Sequence, residues 1–296
     1  MLRLKLVAAV VLLTLCTSIA WSQWSATPGA VTEQNEFGLV DYSQRVITAT
    51  GIGAVPANAP NVGAARANAI RAAKMDALRN LVEAVKAVRV SSETTVNNSM
   101  VENDVIRTKV DAMVRGAQQV GEVKYLSDAS VELTMAVPMS GIMDVVLPVA
   151  APAVPPTSGE VIAPGTESTQ VGATPAVAPE VAGQPITGLI IDTRGLAVKP
   201  SMSPRILSQD GTVLYGPGKY PRDFAVTQGV VGYHKDIEAA KRDARVAGNP
   251  LTVKGTGTTG TLGTDVMIAT NDAQLAAGYT GFSEAISNCR VMFILD

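Results

Sequence analysis

Residues 148–186 form a stretch with neither helical nor strand periodicity, and this stretch divides the chain in two. It is rich in proline, alanine, glycine, serine and threonine, and its only charged residues are Glu160, Glu167 and Glu180. Such a composition favours an extended linker, a spacer, over a packed core. The chain is therefore predicted to fold as two domains, residues 42–147 and residues 187–296.

The first 22 residues have the three parts of a secretory signal peptide. Arg3 and Lys5 give a positive start, residues 6–15 are almost wholly apolar, and small residues suited to a signal peptidase follow. An uncleaved membrane anchor is the alternative, but a bilayer-spanning helix needs about 20 apolar residues, and polar side chains from Ser22 onwards cut this run short. If the signal peptide is cleaved, we expect the mature chain to be periplasmic or secreted.

The two cysteines bear on anchoring and on disulfides. Cys16 raises the alternative of a lipid anchor, but Leu15 stands before it, where a lipoprotein signal needs a small residue. Ordinary cleavage, which discards Cys16, is favoured. Only Cys289 then remains, which excludes an internal disulfide. Its place before the apolar run 291–295 predicts that it is buried.

Hydrophobic periodicity predicts the order β-α-α-β-β for the first domain. Strands are predicted at residues 45–54, 123–126 and 131–137, with a bend near Gly51 and Gly53, and helices at residues 62–90 and 103–119. The long helix has a broad apolar face that should pack against both a sheet and another helix, formed by Ile70, Ala73, Ala77, Leu78, Leu81, Val82, Ala84, Val85 and Val88. The fold class is α+β, a small antiparallel sheet covered by two helices.

The second domain is predicted to be a further mixed α+β unit. Strands are expected at residues 188–192, 204–208, 212–215, 251–255, 266–269 and 290–295, and one helix at residues 236–246. Asp210-Gly211 between two apolar runs predicts a hairpin. The glycine and threonine run at residues 255–264 is predicted to be a flexible hairpin loop.

Charge gives no reason to expect nucleic acid or an anionic membrane as a partner. The full chain carries 24 basic and 26 acidic residues, a formal charge of −2. Loss of the signal peptide would remove Arg3 and Lys5 and make the mature chain more acidic. Such a balance does not attract polyanions.

Catalytic motifs fit the sequence poorly. His234 is the single histidine, so a serine hydrolase would have to use it, with Ser283 in the weak motif Gly281-Phe282-Ser283-Glu284-Ala285. That motif lacks a second glycine, and the order of serine and histidine is reversed relative to such hydrolases. A zinc site needs three or four ligands, which one histidine and one cysteine do not supply.

Two glycine motifs and one pair of acidic residues also fail to match known catalytic or nucleotide-binding patterns. The run Gly216-Pro217-Gly218-Lys219 has the wrong spacing for a phosphate loop and predicts a turn, and Gly51-Ile52-Gly53 lacks the third glycine of a dinucleotide fingerprint. Asp272 and Glu284 remain a non-specific acid pair. No residue is assigned a catalytic, cofactor-binding or metal-binding role, and the chain is predicted not to be an enzyme.

The first domain resembles a family of small surface lipoproteins, the Lpp-twenty type. The motif runs Gly51-x-Gly53-Ala54, Ala69-Ile70-Arg71-Ala72-Ala73, Asp76-Ala77 and Arg79-Asn80-Leu81-x-Glu83. The same module is similar to the N-terminal domain of flagellar assembly protein T, a periplasmic protein of the basal-body ring. The C-terminal part resembles the second half of longer exported relatives. Leu15 departs from the lipoprotein pattern, which turns the expectation from a lipid anchor towards a chain released from the membrane.

The resemblance implies a non-enzymatic structural or interaction protein of the bacterial cell envelope, associated with the flagellar basal body or the outer membrane. The expected partners are envelope proteins or further copies in an oligomer or ring, with no cofactor. Membrane association would be indirect, or through a lipid on Cys16. The alternative function is a small-ligand-binding module. It would use a cleft between sheet and helices, or the aromatic residues Tyr215, Tyr220, Phe224 and Tyr233.

Overall fold

A computed structural model describes residues 28–55, 60–147 and 184–296. The first module, residues 28–147, is built on a five-stranded antiparallel sheet with the order β1-β2-β3-β5-β4. Its elements in chain order are β1 Thr32–Gln34, β2 Leu39–Asp41, β3 Val46–Gly53, α1 Val62–Lys86, α2 Val96–Glu102, α3 Asp104–Arg115, β4 Gln118–Tyr125, β5 Val131–Pro138 and α4 Met139–Val146.

Helix α1 lies very close to β3 because neither partner has bulk at the contact. Alanines at four-residue spacing face the sheet and are buried, namely Ala65, Ala69, Ala73 and Ala77. A Cβ atom added to Gly51 would lie 2.1 Å from the backbone nitrogen of Ala77, and one added to Gly53 would lie 2.0 Å from the carbonyl oxygen of Ala69. The pairing register of β3 with β5 continues unbroken through both glycines. The glycines therefore serve close helix packing.

The second module is a seven-stranded mixed sheet with the order β8-β7-β11-β10-β6-β12-β9. Strands β10, β6, β12 and β9 run parallel to one another, whereas β7–β8 and β10–β11 are antiparallel pairs. The elements are β6 Gly188–Asp192, β7 Ile206–Ser208, β8 Val213–Tyr215, α5 Arg222–Gln228, β9 Gly232–His234, α6 Ile237–Arg242, β10 Pro250–Thr259, β11 Asp265–Ile268, α7 Thr270–Gly278, α8 Phe282–Ser287 and β12 Val291–Ile294.

The α+β fold class of both modules is confirmed, with differences in detail. Strands β1 and β2 extend the first sheet, and the first module also has the unpredicted helices α2 and α4. In the second module, α5, β9, α7 and α8 were not predicted. The flexible loop predicted at residues 255–264 is wrong in its first half, because β10 pairs with β11 as far as Thr259. Backbone pairing to a neighbouring strand offsets the low strand preference of glycine.

Two predictions fall largely on residues outside the described ranges, namely the signal peptide at residues 1–22 and the linker at residues 148–186. Of the linker, only residues 184–186 are described, and there Ile186 is buried and its N–H donates to the carbonyl oxygen of Thr280. Within the described ranges, no helix has the length and apolar character needed to cross a membrane.

The two modules are docked against each other. Buried apolar side chains from both form one continuous cluster, in which the Tyr42 and Tyr233 rings meet edge to face with centroids 5.8 Å apart. Backbone N–H groups of Met202 and Ser203 donate to the carbonyl oxygens of Arg89 and Val90 at 2.9 and 2.7 Å. This packing brings cavities between the modules within reach of residues from both.

Candidate binding groove between the two modules

The structure does not assemble the serine–histidine pair considered from the sequence. Ser283 is exposed on α8, which leads into the amino end of β12. His234 pairs with Ile294 at the carboxyl end of β12, and its Nδ1 accepts the N–H of Asp236 at 2.8 Å. The two side chains therefore flank opposite ends of a strand that is roughly 13 Å long at about 3.3 Å per residue.

The other motifs also remain apart. Asp272 lies on α7 and Glu284 on α8, and no hydrogen bond or ion pair joins them in the part of the chain that the structure describes. Residues 28–55, 60–147 and 184–296 contain no group of three or more histidine, cysteine, aspartate or glutamate side chains placed to hold a metal ion. Cys289 is fully buried, as predicted, and burial raises the pKa of its thiol.

The four aromatic residues considered as a ligand site do not form one surface. Tyr215 and Tyr233 are core residues, and their hydroxyl groups bond to the backbone at Val230 and Ser201. Burial raises the pKa of both, so they stay protonated. Phe224 lies partly exposed on α5. Only Tyr220 lines a cavity of the groove described next.

The inter-module groove consists of two adjoining chambers that share Ser99, Val146, Leu147 and Arg222 as lining residues. The smaller chamber has a volume of about 500 Å³. One wall belongs to the first module and includes Val90 and Thr94, and the other belongs to the turn that precedes α5. That turn is the predicted one at residues 216–219, closed by the N–H of Lys219 donating to the carbonyl oxygen of Gly216 at 3.0 Å.

The surface of the smaller chamber is mainly apolar, although several polar side chains, including Thr94, Ser99 and Arg222, contribute to its lining. On one wall the hydroxyl groups of Ser203 and Tyr220 are 3.1 Å apart and share a hydrogen bond. Burial raises the pKa of Tyr220 to about 12, so its hydroxyl remains neutral at physiological pH. A mostly apolar cavity of this size with few polar groups is the usual character of a binding site.

The larger chamber, of about 780 Å³, is more polar and is bounded by α2, α3, α4 and Arg222. Arg222 of the second module pairs with Asp144 of the first, Nη1 to Oδ1 at 2.9 Å, and also donates to the Asp144 carbonyl oxygen. The pair joins α4 to α5 where the two chambers meet. Lys109 and Glu102 add further charges to the lining. The groove can thus bind an apolar group at one end and a polar group at the other.

A smaller apolar cavity of about 370 Å³ lies between the end of α3 and the first sheet, lined by residues that include Met113, Ala136 and Gly141. It is the nearest counterpart of the ligand cleft expected between sheet and helices.

Comparison with known proteins finds a similar family for part of each module. Residues 45–132 match the LPP20 lipoprotein family. Residues 188–296 match a second family, described as Treponema pallidum Tp0624, second domain. Each match covers less than half of the chain, so it shows only that the matched part is similar to that family. No curated protein matches the chain. The first match supports the resemblance of the first module to the Lpp-twenty type, a family of envelope lipoproteins.

Sequence reasoning singled out Tyr220 among the groove residues, but for a different reason, as part of an aromatic cluster. It also predicted the turn that holds Pro217 and Gly218. The other lining residues carried no signal, because they are scattered polar, charged and aliphatic side chains that form no motif. They come from segments more than 100 residues apart, such as those holding Ser99 and Ser203. Only docking of the modules brings them together.

Proposed function

We propose that this chain is an exported, non-enzymatic interaction protein of the bacterial cell envelope that presents the inter-module groove to a partner protein. The observation that carries this proposal is the match of residues 45–132 to the LPP20 lipoprotein family, which follows the predicted export signal at residues 1–22. The placement of the candidate catalytic residues adds support, because Ser283 lies far from His234 and Asp272 does not pair with Glu284. Proteins that bind without catalysis need a preformed surface rather than converging reactive groups.

The finer parts of the proposal concern place and partners. Association with the outer membrane or the flagellar basal body is proposed from the motifs of the first module, which by sequence resemble the N-terminal domain of flagellar assembly protein T, a periplasmic protein of the basal-body ring. The partners are envelope proteins or further copies of this chain. Release from the membrane follows from Leu15 before Cys16, and a lipid on Cys16 is the alternative anchor.

The test combines fractionation with capture of partners from detergent-solubilised envelope, using the full chain with a C-terminal tag. We expect the protein in the envelope or periplasmic fraction and reproducible recovery of an envelope protein. Ser99→Arg places a long charged side chain at the junction of both chambers and should abolish that recovery. Ser283→Arg, the same change at an exposed site on α8, is the matched control.

Cytoplasmic location would overturn the proposal of export. A monomer that recovers no envelope protein, or recovery that survives Ser99→Arg unchanged, would overturn the role of the groove. Mass spectrometry of the mature N-terminus decides between a free end and a lipid on Cys16.

The second candidate function is binding of a small apolar ligand in the smaller chamber. Its mainly apolar surface, with the hydrogen-bonded hydroxyl groups of Ser203 and Tyr220 on one wall, favours it. A thermal-shift screen against envelope metabolites should then find one compound that raises the melting temperature by several degrees in wild type and Ser283→Arg but not in Ser99→Arg. A screen without such a compound favours the protein partner.

A further inference from the structure

A third cavity lies between the modules, separate from the groove and lined by none of its residues. Its volume is about 310 Å³. The first module contributes the turn between β2 and β3, and the second contributes β9, Met292 and the segment after α6. Two arginines face this cavity, Arg45 from the first module and Arg245 from the second.

The two guanidinium groups are held in place by backbone carbonyl oxygens of the second module. Arg45 Nη1 donates to the carbonyl oxygen of Thr227 at 2.7 Å. Arg245 Nη1 donates to those of Gly229 and Cys289 at 3.0 and 2.7 Å, and its Nη2 donates to that of Gln228. Both arginines thus bind the carbonyl groups at the C-terminal end of α5, which carries partial negative charge.

Two glycines make room for this arrangement. A Cβ atom on Gly229 would come within 3.0 Å of Arg45 Cδ, and one on Gly232 within 3.0 Å of Arg245 Nε. Gly229 also has φ of +79°, a conformation that other residues rarely adopt. The arginines therefore occupy defined positions.

The positive charge of this cavity is not balanced by an ion pair. No carboxylate in the described part of the chain forms a salt bridge with Arg45 or Arg245. The acids nearest in sequence bond to backbone instead, because Asp41 accepts the N–H of Gln44 and Asp243 accepts the N–H of Arg245. Burial, and then the charge of Arg245, lower the pKa of Arg45. Asp243 also lines the cavity, and its exposed carboxylate offsets part of the charge of Arg245 without forming a salt bridge. The two half-buried arginines therefore keep a net positive charge, which is costly to bury.

Arg45 also has hydrogen-bond donors left over. Its Nη1 bonds to Thr227, whereas Nε and Nη2 have no acceptor among the described residues. In the part of the chain that the structure describes, the side-chain nitrogen and oxygen atoms that are both buried and without a hydrogen-bond partner belong to Ser201, Arg222 and Thr264. The free nitrogen atoms of Arg45 are not among them, so they are accessible to solvent. Free guanidinium donors that reach an open cavity suit an oxyanion, which they bind through charge-assisted hydrogen bonds.

We propose that Arg45 and Arg245 form an oxyanion-binding site between the modules, which takes the phosphate or carboxylate group of a small molecule. Because each module supplies one arginine, the bound anion would join the modules and stabilise the docked arrangement. The site is independent of the groove, so its test does not depend on the proposed function.

The experiment measures the melting temperature of the full mature chain in 10 mM inorganic phosphate, 10 mM acetate and chloride of equal ionic strength. We expect phosphate or acetate to raise the melting temperature by about 3 °C over chloride, as for a ligand at about ten times its Kd. The stronger of the two distinguishes a phosphate site from a carboxylate site. Arg45→Gln should weaken binding at least tenfold in calorimetric titration, and Arg71→Gln, an exposed arginine on α1, is the control.

A second measurement uses the wild-type protein, in case Arg45→Gln fails to fold. The arginine reagent phenylglyoxal is applied with and without phosphate or acetate, and the modified peptides are quantified by mass spectrometry. We expect the anion to protect Arg45 and Arg245 but not Arg71. Equal melting temperatures in all three salts, an undiminished response in Arg45→Gln, or no selective protection would overturn the proposal.

Discussion

Ser92 provides the sharpest test of the docking between the modules. It lies in the first module and is buried, and its Oγ donates to Asp265 Oδ2 of the second module at 2.7 Å. Arg205 Nη2 donates to the same Oγ at 3.0 Å, and Arg205 Nε pairs with Asp265 Oδ2 at 2.7 Å. Gly260 lies so close that a Cβ atom there would be 2.3 Å from the Ser92 Cβ. Three side chains from two modules thus share one buried network.

The cost of Ser92→Ala follows from these contacts. A hydrogen bond to a charged group contributes about 1.5–3 kcal/mol to stability. The Arg205 side chain is 35% exposed and can recover hydration, so we expect about 1.5–2 kcal/mol, the lower part of that range. Asp265 is fully buried, and Asp265→Asn should cost about 3 kcal/mol because it breaks the close pair and leaves Arg205 with the exposed Glu93 at 3.6 Å as its remaining anion.

The assay is urea unfolding of the full mature chain followed by far-ultraviolet circular dichroism. Ser92→Ala, Asp265→Asn and the double variant form a cycle, in which we expect a coupling free energy of about 1 kcal/mol. Ser99→Ala is the control, because among the described residues its hydroxyl donates to the carbonyl oxygen of Thr95, one helical turn away in the same module, and it should cost less than about 0.5 kcal/mol.

Two results would refute this reasoning. If Ser92→Ala matches the Ser99→Ala control, the buried network does not stabilise the docked modules. If the effects of Ser92→Ala and Asp265→Asn simply add, the two residues do not act on one another across the interface.

Three further predictions concern packing and titration. Gly53→Val should cost about 1–3 kcal/mol in urea unfolding, because its side chain would meet the backbone of α1. Gly63→Ala in the exposed first turn of α1 should be neutral or stabilising, because the added Cβ atom would approach a side-chain atom, Asn61 Oδ1, at 3.3 Å instead of backbone. Above pH 10 the free energy of unfolding should fall by about 1.4 kcal/mol per pH unit for each buried tyrosine, because a tyrosine ionises at lower pH in the unfolded chain than in the folded one. Tyr220→Phe should make this fall less steep between pH 10 and about 12. An equally steep fall in the variant would contradict the raised pKa of Tyr220. Cys289 is inaccessible, so it should react with Ellman's reagent only on unfolding, and fast labelling of the native protein would contradict its burial.

Local pattern was enough to predict much of the first module. The spacing of apolar residues placed α1 within a few residues of its observed bounds, and its alanine-rich face packs on the sheet as expected. Alternation in β5 placed Val131, Leu133 and Met135 in the core. Asp210-Gly211 marked the β7–β8 hairpin, whose turn has Gly211 at φ of +86°. These signals depend on residues close in sequence, where side-chain period fixes which face is buried.

The sequence missed elements whose stability comes from tertiary contacts. Helices α5 and α8 have seven and six residues, too short to be stable alone. The glycine-rich end of β10 is a strand because β11 pairs with it. The sequence also predicted a bend at Gly51 and Gly53. The structure shows instead that the lack of side chains at these glycines lets the backbone of α1 pack closely against β3.

By itself, the sequence determined the division into two α+β modules and the broad face of α1, because each is written in local composition or period, and it predicts the export signal from the same kind of pattern. Only the tertiary structure decided how the modules dock, and with it the groove, the Ser92–Asp265 network and the Arg45–Arg245 cavity. The stretch at residues 148–186 marked where the chain divides but carried no information on whether its two sides touch. Those contacts join residues far apart in sequence, such as 78 positions for Arg222 and Asp144 and 173 for Ser92 and Asp265, and they arise from shape and charge that no local period encodes.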